Sequence, residues 1–248
     1  MGVIMIEPGE IIVIDGPDGT GKDETTKRVR ILANERKPFS NLEVLTQSFP
    51  RYKSFYGKLI RAYLDGDEAH ELLRVPDDVR LDPICASAMY ALDRHRTYQE
   101  IMKPNMDKGH WYLCDRYYTS NMGHQGSRMN TMEERLAFFE RLMWLEEGYC
   151  QLPRPKVVVI LDLPEEVRRD RTERRRKKAE DDNALDGKVA KTDIHEQSPE
   201  HMRRASDTYR QMAEHFNWPL INGVENGREL TPDEMAEKVY GAILKQLG

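Results

Sequence analysis

The sequence predicts an α/β fold: a parallel β-sheet of about five strands flanked by helices, with a charged lid. Short apolar runs alternate with longer helical stretches along the 248 residues, which is the order expected of a sheet with crossover helices. Proline opens several of the helical stretches at a position that suits the first turn. Because 248 residues suit one domain of ordinary size or one enlarged by insertions and not two full domains, residues 1–248 are predicted to form a single domain.

The strands are predicted from the apolar runs. EIIVID at residues 10–15 is the clearest, because it ends directly at a Gly-rich turn. KVVVIL at residues 156–161 and WYLC at residues 111–114 are the next two. The five predicted strands span residues 10–15, 43–47, 111–114, 156–161 and 218–221.

Helices are predicted between these strands, and two stretches are predicted to lie outside the packed core. Residues 123–131 are rich in Gly, Ser and Asn. Residues 169–197 are charged and nearly free of large apolar side chains, which predicts a mobile lid. The predicted helices span residues 22–34, 56–64, 83–106, 132–147, 164–178, 199–215 and 232–246.

Composition argues against several classes of protein. Lys and Arg number 38 against 43 Asp and Glu, and the net charge of −5 gives no reason to expect specific nucleic-acid or membrane binding. The longest purely apolar run, residues 157–161, is far below the ~20 residues of a spanning helix. The N-terminus lacks the pattern of a signal peptide. The three cysteines are odd in number and widely spaced, which fits a reducing cytoplasm.

The strongest motif is GPDGTGKD at residues 16–23, between a predicted strand and a predicted helix. This spacing matches a P-loop through its lysine, in which backbone N–H groups and a helix N-terminus cradle phosphates. Lys22 would add a full positive charge at the β- and γ-phosphates. The alternative is a Gly-rich turn with a solvated lysine. On the P-loop interpretation the sheet is of the P-loop NTPase type, and ATP is bound by Gly16, Pro17, Asp18, Gly19, Thr20, Gly21, Lys22, Asp23 and Glu24.

The motif departs from the usual P-loop at one position. A Ser or Thr normally follows the lysine, and its hydroxyl binds Mg²⁺. Here Asp23 follows, with Glu24 next. Asp23 could bind Mg²⁺ through its carboxylate or could repel the phosphates of ATP, and both interpretations stay open.

A second motif, CDRYYTSNMGHQG at residues 114–126, begins at the end of the third predicted strand. In an open parallel sheet, ligands bind at the carboxyl ends of the strands, so Asp115 and Arg116 are expected near the P-loop. The Arg fork suits a phosphate, and the carboxylate suits Mg²⁺ or its waters. Alternatively, the two residues form a strand-end salt bridge.

Together these motifs resemble the thymidylate kinase family, over roughly residues 10–216. An Asp at the third position of the P-loop, here Asp18, is distinctive of that family. The resemblance rests on GPDGTGKD (16–23), FPRYKSFYGKLIRAYLDGD (49–67), YALDR (90–94), DRYYTSN (115–121) and DIHE (193–196). It implies a phosphotransferase for small-molecule nucleotides, with ATP as phosphoryl donor, Mg²⁺ as cofactor and a homodimeric assembly.

The resemblance also implies roles on the acceptor side. Asp18 would bond the sugar 3′-hydroxyl, and Arg116 would hold the acceptor phosphate. Tyr90 would stack on the base and Arg94 would bond thymine O4. From the sequence alone, Tyr90 could instead be a core residue and Arg94 a surface charge.

Further acceptor-site residues are expected in the same motifs. Asn121 would face the base edge. His124 stands where several members place a Tyr beside the sugar. Arg51 lies one place earlier than the phosphate-binding Arg of some members. The remaining acceptor-site residues implied by these motifs are Phe49, Ser120 and Gln125.

The lid is the last candidate region. Residues 168–178 hold eight basic and two acidic residues, a block that by itself suits a solvated helix face. Members of the family with Gly at the P-loop position of Gly19 use lid arginines as the catalytic cation, and a supplied Arg contributes ~10³–10⁵ in rate. Arg171, Arg174 and Arg175 are candidates, of which Arg171 and Arg175 are favoured. Asp193 and Glu196 match acidic positions at the end of the family's lid.

The sequence therefore predicts an ATP-dependent kinase that converts a deoxynucleoside monophosphate, first of all dTMP, to the diphosphate. Its catalytic residues are expected to be Lys22, Arg116, Arg171 and Arg175, with Asp23 and Asp115 as metal ligands. Three alternatives stay open. They are a kinase for another (deoxy)nucleoside monophosphate, a non-catalytic nucleotide-binding protein, and a P-loop protein that binds nucleic acid through the basic block.

Overall fold

A computed structural model of the chain describes residues 7–36, 38–39, 42–65, 81–186 and 199–248. The predicted lid-end residues Asp193 and Glu196 lie outside the described residues. No helix in the described part of the chain is long and apolar enough to cross a membrane.

Five parallel strands form one sheet in the order β2-β3-β1-β4-β5, which confirms the predicted fold class. Ile14 of the central strand pairs with Asp115 on one side and Val159 on the other. The carboxyl ends of the strands therefore lie along one edge of the sheet. The strands are β1 (Ile11–Asp15), β2 (Val44–Ser48), β3 (Trp111–Asp115), β4 (Val157–Asp162) and β5 (Leu220–Asn222).

Helices cover both faces of the sheet, so β1, β3 and β4 are buried along their whole length. Val29 and Val239 belong to the core on one face, and Met122, Phe139 and Met212 to the core on the other. The helices are α1 (Lys22–Glu35), α2 (Phe55–Asp65), α3 (Pro83–Thr97), α4 (Lys103–Met106), α5 (Tyr118–Gly126), α6 (Met132–Met143), α7 (Glu165–Asp186), α8 (Pro199–His215) and α9 (Pro232–Leu247).

Three predicted helices differ in detail from the observed ones. The predicted helix 83–106 contains a π-helical turn, Tyr98–Met102, between α3 and α4. The predicted helix 132–147 ends in a second π-helical turn, Trp144–Tyr149, after α6. α7 continues to Asp186 because its charged residues are also good helix formers.

The prediction that residues 123–131 lie outside the packed core is wrong for the first part of this stretch. Gly123 and Gly126 are buried in α5. A Cβ built on Gly123 would lie 2.4 Å from Tyr209 Cε2, and one on Gly126 would lie 2.7 Å from Phe139 Cε1. The small residues thus allow α5 to pack closely against α8 and α6, and their frequency here reflects close packing.

A short hairpin after β5 was not predicted. It consists of β6 (Val224–Glu225) and β7 (Arg228–Glu229), which pair antiparallel. Asn226 and Gly227 form its turn with φ of 50° and 75°. An Asn-Gly pair with positive φ at both residues is the preferred two-residue hairpin turn, so this dipeptide was the signal that could have found it.

Candidate active site

The P-loop joins the end of β1 to the start of α1. Gly16, Gly19 and Gly21 have φ of 141°, 85° and 87°, which side chains with a Cβ rarely adopt. A Cβ on Gly16 would lie 2.2 Å from the carbonyl oxygen of Leu161, so the loop passes directly against β4. The loop backbone therefore reaches the N-terminus of α1 in the conformation that an anion cradle requires.

Lys22 lies inside this cradle. Its Nζ donates hydrogen bonds to the carbonyl oxygens of Gly16 and Pro17, each at 2.8 Å, and lies 3.8 Å from Asp18 Oδ1. Burial, together with the charge of Arg116, lowers the pKa of Lys22 to about 8. The amine thus faces the loop interior, where a bound phosphate would replace the carbonyl oxygens as its partner.

Asp18 and Arg116 form an ion pair opposite the lysine. Arg116 Nη2 donates to Asp18 Oδ1, and His124 Nε2 lies 3.9 Å from Asp18 Oδ2. Burial alone would raise the pKa of Asp18, but the charges of Arg116, Lys22 and His124 hold the pKa well below its usual range. The partner of Arg116 is therefore Asp18, and the structure does not contain the Asp115–Arg116 salt bridge considered from the sequence.

Asp15, at the end of β1, is a site residue that sequence reasoning missed. It is fully buried and accepts hydrogen bonds from the hydroxyls of Thr119 (2.5 Å), Ser120 (2.8 Å) and Tyr209 (3.0 Å). These bonds join β1 to α5 and α8 beneath the site. An acidic residue that ends an apolar strand just before the P-loop was the signal.

Asp115 ends β3 beside the P-loop. Within the described residues its Oδ1 is buried and has no hydrogen-bond partner. Burial raises the pKa of this carboxyl although Arg116 and Lys22 oppose the effect. A hard cation or one of its waters would supply the missing partner, so this oxygen fits Mg²⁺.

Asp23 and Glu24 point away from the cradle. Asp23 is 64% exposed, and its Oδ2 accepts from Lys27 Nζ at 2.6 Å. Glu24 pairs in the same way with Arg28 at 2.6 Å. Across the described ranges, no group of three or more His, Cys, Asp or Glu side chains is arranged to hold a metal ion.

Tyr90 and Arg94 lie one helical turn apart on α3. Tyr90 is half-buried. Arg94 is 2% exposed, and its Nε and Nη2 donate to the two carboxylate oxygens of Glu146, the former at 2.9 Å. Arg94 is therefore not the surface charge that was considered as an alternative. The third nitrogen of the guanidinium, Nη1, takes no part in the pair with Glu146.

Two further predicted residues lie after β2. Phe49 is buried, with its ring centroid 5.9 Å from that of Tyr117. The backbone N–H of Arg51 donates to Asp93 Oδ2 at 2.7 Å, and the Arg51 residue is half-buried. Asp93, which precedes Arg94 on α3, thus holds the segment after β2 close to this helix.

The remaining predicted acceptor residues lie on α5. Asn121 Nδ2 donates to the carbonyl oxygen of Ser87 on α3 at 3.4 Å. Gln125 Oε1 accepts from Arg128 Nη1 at 3.1 Å. The ring of His124 stacks on that of His201 with centroids 5.9 Å apart. α5 therefore carries its polar side chains against both α3 and α8.

The basic helix α7 lies against the P-loop. A Cβ on Gly19 would lie 2.9 Å from the carbonyl oxygen of Arg168 and 3.2 Å from Thr172 Oγ1. Arg171 reaches Gly21, whereas Arg174 is 74% exposed and pairs with Asp170. The side chain of Arg175 lies outside what the structure describes. Among the predicted lid arginines, the structure brings Arg171 to the cradle.

This geometry defines a class of protein. A P-loop with its lysine in the cradle stands at the carboxyl edge of a parallel sheet, and an ion-paired arginine and a basic helix converge on the same point. Groups of this kind place two phosphates in line and stabilise the moving charge, so the fold and site are those of a P-loop phosphotransferase.

Comparison with known proteins identifies the family. The family model for thymidylate kinase matches residues 14–212, and the chain belongs to the thymidylate kinase family. It is 25% identical over 231 residues to "Thymidylate kinase" of Prochlorococcus marinus, and 26% identical over 229 residues to "Probable thymidylate kinase" of Pyrococcus abyssi. Each alignment covers 92% of this chain and 95% of the relative. A thymidylate kinase of Akkermansia muciniphila is 31% identical over 163 residues, which is 66% of each chain.

Proposed function

We propose that this protein transfers the γ-phosphoryl group of ATP to dTMP and so produces dTDP for deoxynucleotide supply. Membership of the thymidylate kinase family supports the reaction. The main structural support for this reaction is that the residues of the ATP-binding side and the residues of the dTMP-binding side are in contact. Lys22, which serves the donor phosphates, lies 3.8 Å from Asp18, and Asp18 pairs with Arg116 on the acceptor side.

The donor half consists of the P-loop and the lid. Lys22 and the loop backbone bind the β- and γ-phosphates, and the lid arginines Arg171 and Arg175 neutralise charge on the moving group. No covalent enzyme intermediate is needed, because positioning the two phosphates in line supplies much of the rate. The ATP site comprises Gly16, Pro17, Asp18, Gly19, Thr20, Gly21, Lys22, Asp23 and Glu24.

The acceptor half binds the monophosphate. Arg116 holds its phosphate and Asp18 its sugar 3′-hydroxyl. Tyr90 stacks on the base, and Arg94 donates from Nη1 to thymine O4. The other side chains of this half are Phe49, Arg51, Ser120, Asn121, His124 and Gln125.

Mg²⁺ is the proposed cofactor, held through Asp115, whose buried Oδ1 has no hydrogen-bond partner within the described residues. When bound, Mg²⁺ neutralises negative charge on the phosphates of ATP. Asp23 joins the metal site only if its carboxylate leaves Lys27.

A homodimer in the cytoplasm is the proposed state of the enzyme. Leu92, Trp144 and Tyr149 are 43%, 63% and 66% exposed, and exposed apolar side chains support a contact with a second copy. His95 Nδ1 lies 2.7 Å from the carbonyl oxygen of Cys150, which brings α3 close to the turn that carries Trp144 and Tyr149. The free thiols of Cys85, Cys114 and Cys150 support a reducing compartment. Sedimentation equilibrium tests the dimer, and a monomer at micromolar concentration contradicts it.

A coupled ATP assay across all ribo- and deoxynucleoside monophosphates, with and without Mg²⁺, tests the function. The expected result is turnover highest with dTMP and dependent on Mg²⁺, and near-complete loss of turnover in folded Lys22→Ala. Highest turnover with another monophosphate favours that substrate. Binding of ATP without turnover of any monophosphate contradicts the kinase function.

A further inference from the structure

The hairpin β6–β7 is fixed against α9. Arg228 Nη1 and Nη2 donate to the carboxylate of Glu234 at 2.7 and 2.5 Å. Lys238 Nζ binds Glu225 Oε1 at 2.7 Å. The N–H of Leu230 donates to the carbonyl oxygen of Gly223 at 2.8 Å, which closes the base of the hairpin. Both strands of this surface element are thus tied to α9.

The last residue of the hairpin, Glu229, binds Arg171 of the basic helix α7. Arg171 Nε and Nη2 both donate to Glu229 Oε2, at 2.8 and 2.6 Å. This contact uses one edge of the guanidinium and fixes the plane of the group.

The other edge of the same guanidinium faces the phosphate cradle. Arg171 Nη1 lies 3.4 Å from where a Cβ on Gly21 would stand, and Gly21 is the N-cap of α1. No residue in the described ranges accepts a hydrogen bond from this nitrogen. Its N–H groups therefore remain for an anion at the P-loop.

We propose that Glu229 is a positioning residue that holds Arg171 toward the phosphates of a nucleoside triphosphate bound in the P-loop. The inference rests on the proposed use of the P-loop for ATP. A long arginine side chain samples many rotamers, and binding is stronger when the bound rotamer is already fixed. Because the hairpin is anchored to α9, Glu229 supplies a fixed point outside the basic helix.

Binding of the non-hydrolysable analogue adenylyl imidodiphosphate with Mg²⁺, measured by calorimetry on the full chain, tests the proposal. We expect Glu229→Ala and Arg171→Ala to weaken binding by a similar factor, about 10-fold, and the double variant to weaken it no further. Glu229→Gln should retain most of the affinity because its amide oxygen accepts the same N–H bonds. Glu237→Ala is the matched control, since Glu237 lies on α9 and forms an exposed carboxylate–arginine pair with Arg36 that does not belong to the hairpin anchor.

Steady-state kinetics give a second readout. Glu229→Ala should lower kcat about 10-fold with the KM for dTMP unchanged, and the melting temperature should stay within a few degrees of wild type because the pair is half-exposed. Unchanged or tighter analogue binding in Glu229→Ala, or effects of the two single variants that simply add, would overturn the proposal. If wild type binds the analogue but phosphorylates nothing, the proposed function fails, while the binding series still decides the role of Glu229.

Discussion

Arg94 and Glu146 form a buried ion pair that ties α3 to the π-helical turn after α6. The two side chains are 2% and 0% exposed, and two nitrogens of the guanidinium bind the two carboxylate oxygens. Burial raises the pKa of Glu146, while the charge of Arg94 opposes this effect. Each ion depends on the other, because an unpaired charge at this depth would lose its hydration without compensation.

Removing one partner is therefore expected to be costly. Glu146→Ala should lower the free energy of unfolding by about 3–5 kcal/mol, because Arg94 is left buried and unpaired. Urea denaturation measures the loss. Glu140→Ala, an exposed position on α6, is the control and should change stability by less than about 0.5 kcal/mol. Equal effects of the two variants would contradict the account.

The apolar double variant separates stability from base choice. Arg94→Met with Glu146→Leu replaces the pair by side chains of similar size and should recover most of the stability that Glu146→Ala loses. If Arg94 reads the base, the preference for dTMP over dCMP should fall in this folded variant. An unchanged preference would remove Arg94 from the base site.

The fold was predictable because its signals are local. EIIVID and KVVVIL are apolar runs, and helices on both faces of a parallel sheet demand such runs. The prolines at Pro83, Pro199 and Pro232 mark the beginnings of α3, α8 and α9. The Arg94–Glu146 pair was not predictable, because it joins residues 52 positions apart and their burial depends on tertiary packing.

The basic helix α7 packs against the P-loop at Gly19. Gly19→Ala should lower both stability and kcat, because a Cβ there would lie 2.9 Å from a backbone oxygen of α7 and would move this helix off the cradle. Thermal unfolding and the coupled assay measure the two effects. Gly109→Ala is the matched control, since Gly109 has a similar φ of 93° and the added Cβ would lie at an ordinary contact distance, 3.4 Å, from Pro8 Cβ. The control carries only the backbone strain, about 1–2 kcal/mol, and should leave kcat unchanged.

The P-loop could be predicted from the sequence, whereas its contacts with α7 could not. The spacing of Gly16, Gly21 and Lys22 is fixed by the chemistry of phosphate binding and needs no tertiary information. The approach of Arg171 depends on a hairpin that lies 58 residues further along the chain, at Glu229. Sequence reasoning could favour Arg171 and Arg175 among the lid arginines, but it had no means of finding the contact between Arg171 and Glu229.

Proton uptake should accompany ATP binding at alkaline pH. Burial lowers the pKa of Lys22 to about 8 in the empty site, below the ordinary 10.5. As pH rises through about 8, the folded enzyme releases this proton while the unfolded chain keeps it. The empty enzyme therefore gains stability from this group between about pH 8 and 10.5. Phosphates favour the charged amine, so ATP affinity should fall as pH rises above about 8.

Calorimetry in buffers of different ionisation enthalpy measures this uptake. Wild type should take up a fraction of a proton for each ATP bound at pH 8.5. This fraction should be on the order of the share of Lys22 that is neutral at this pH, given its pKa of about 8. Lys22→Met, which cannot titrate, should lose this component. The same uptake in Lys22→Met would show that another group is responsible.

Asp23→Ser is expected to leave activity unchanged or to raise it. Asp23 is 64% exposed and its carboxylate binds Lys27 at 2.6 Å, so the structure gives it no contact with the cradle that serine would lose. The substitution removes a negative charge next to Lys22 and restores the hydroxyl usual at this position. A Mg²⁺ titration of both forms measures the effect, and wild type should need more free Mg²⁺ for half-maximal turnover. Lys27→Ala breaks the same ion pair without changing the P-loop and is the control. A large loss of activity in Asp23→Ser at every Mg²⁺ concentration, with Lys27→Ala unaffected, would mean that Asp23 turns inward and coordinates the metal directly.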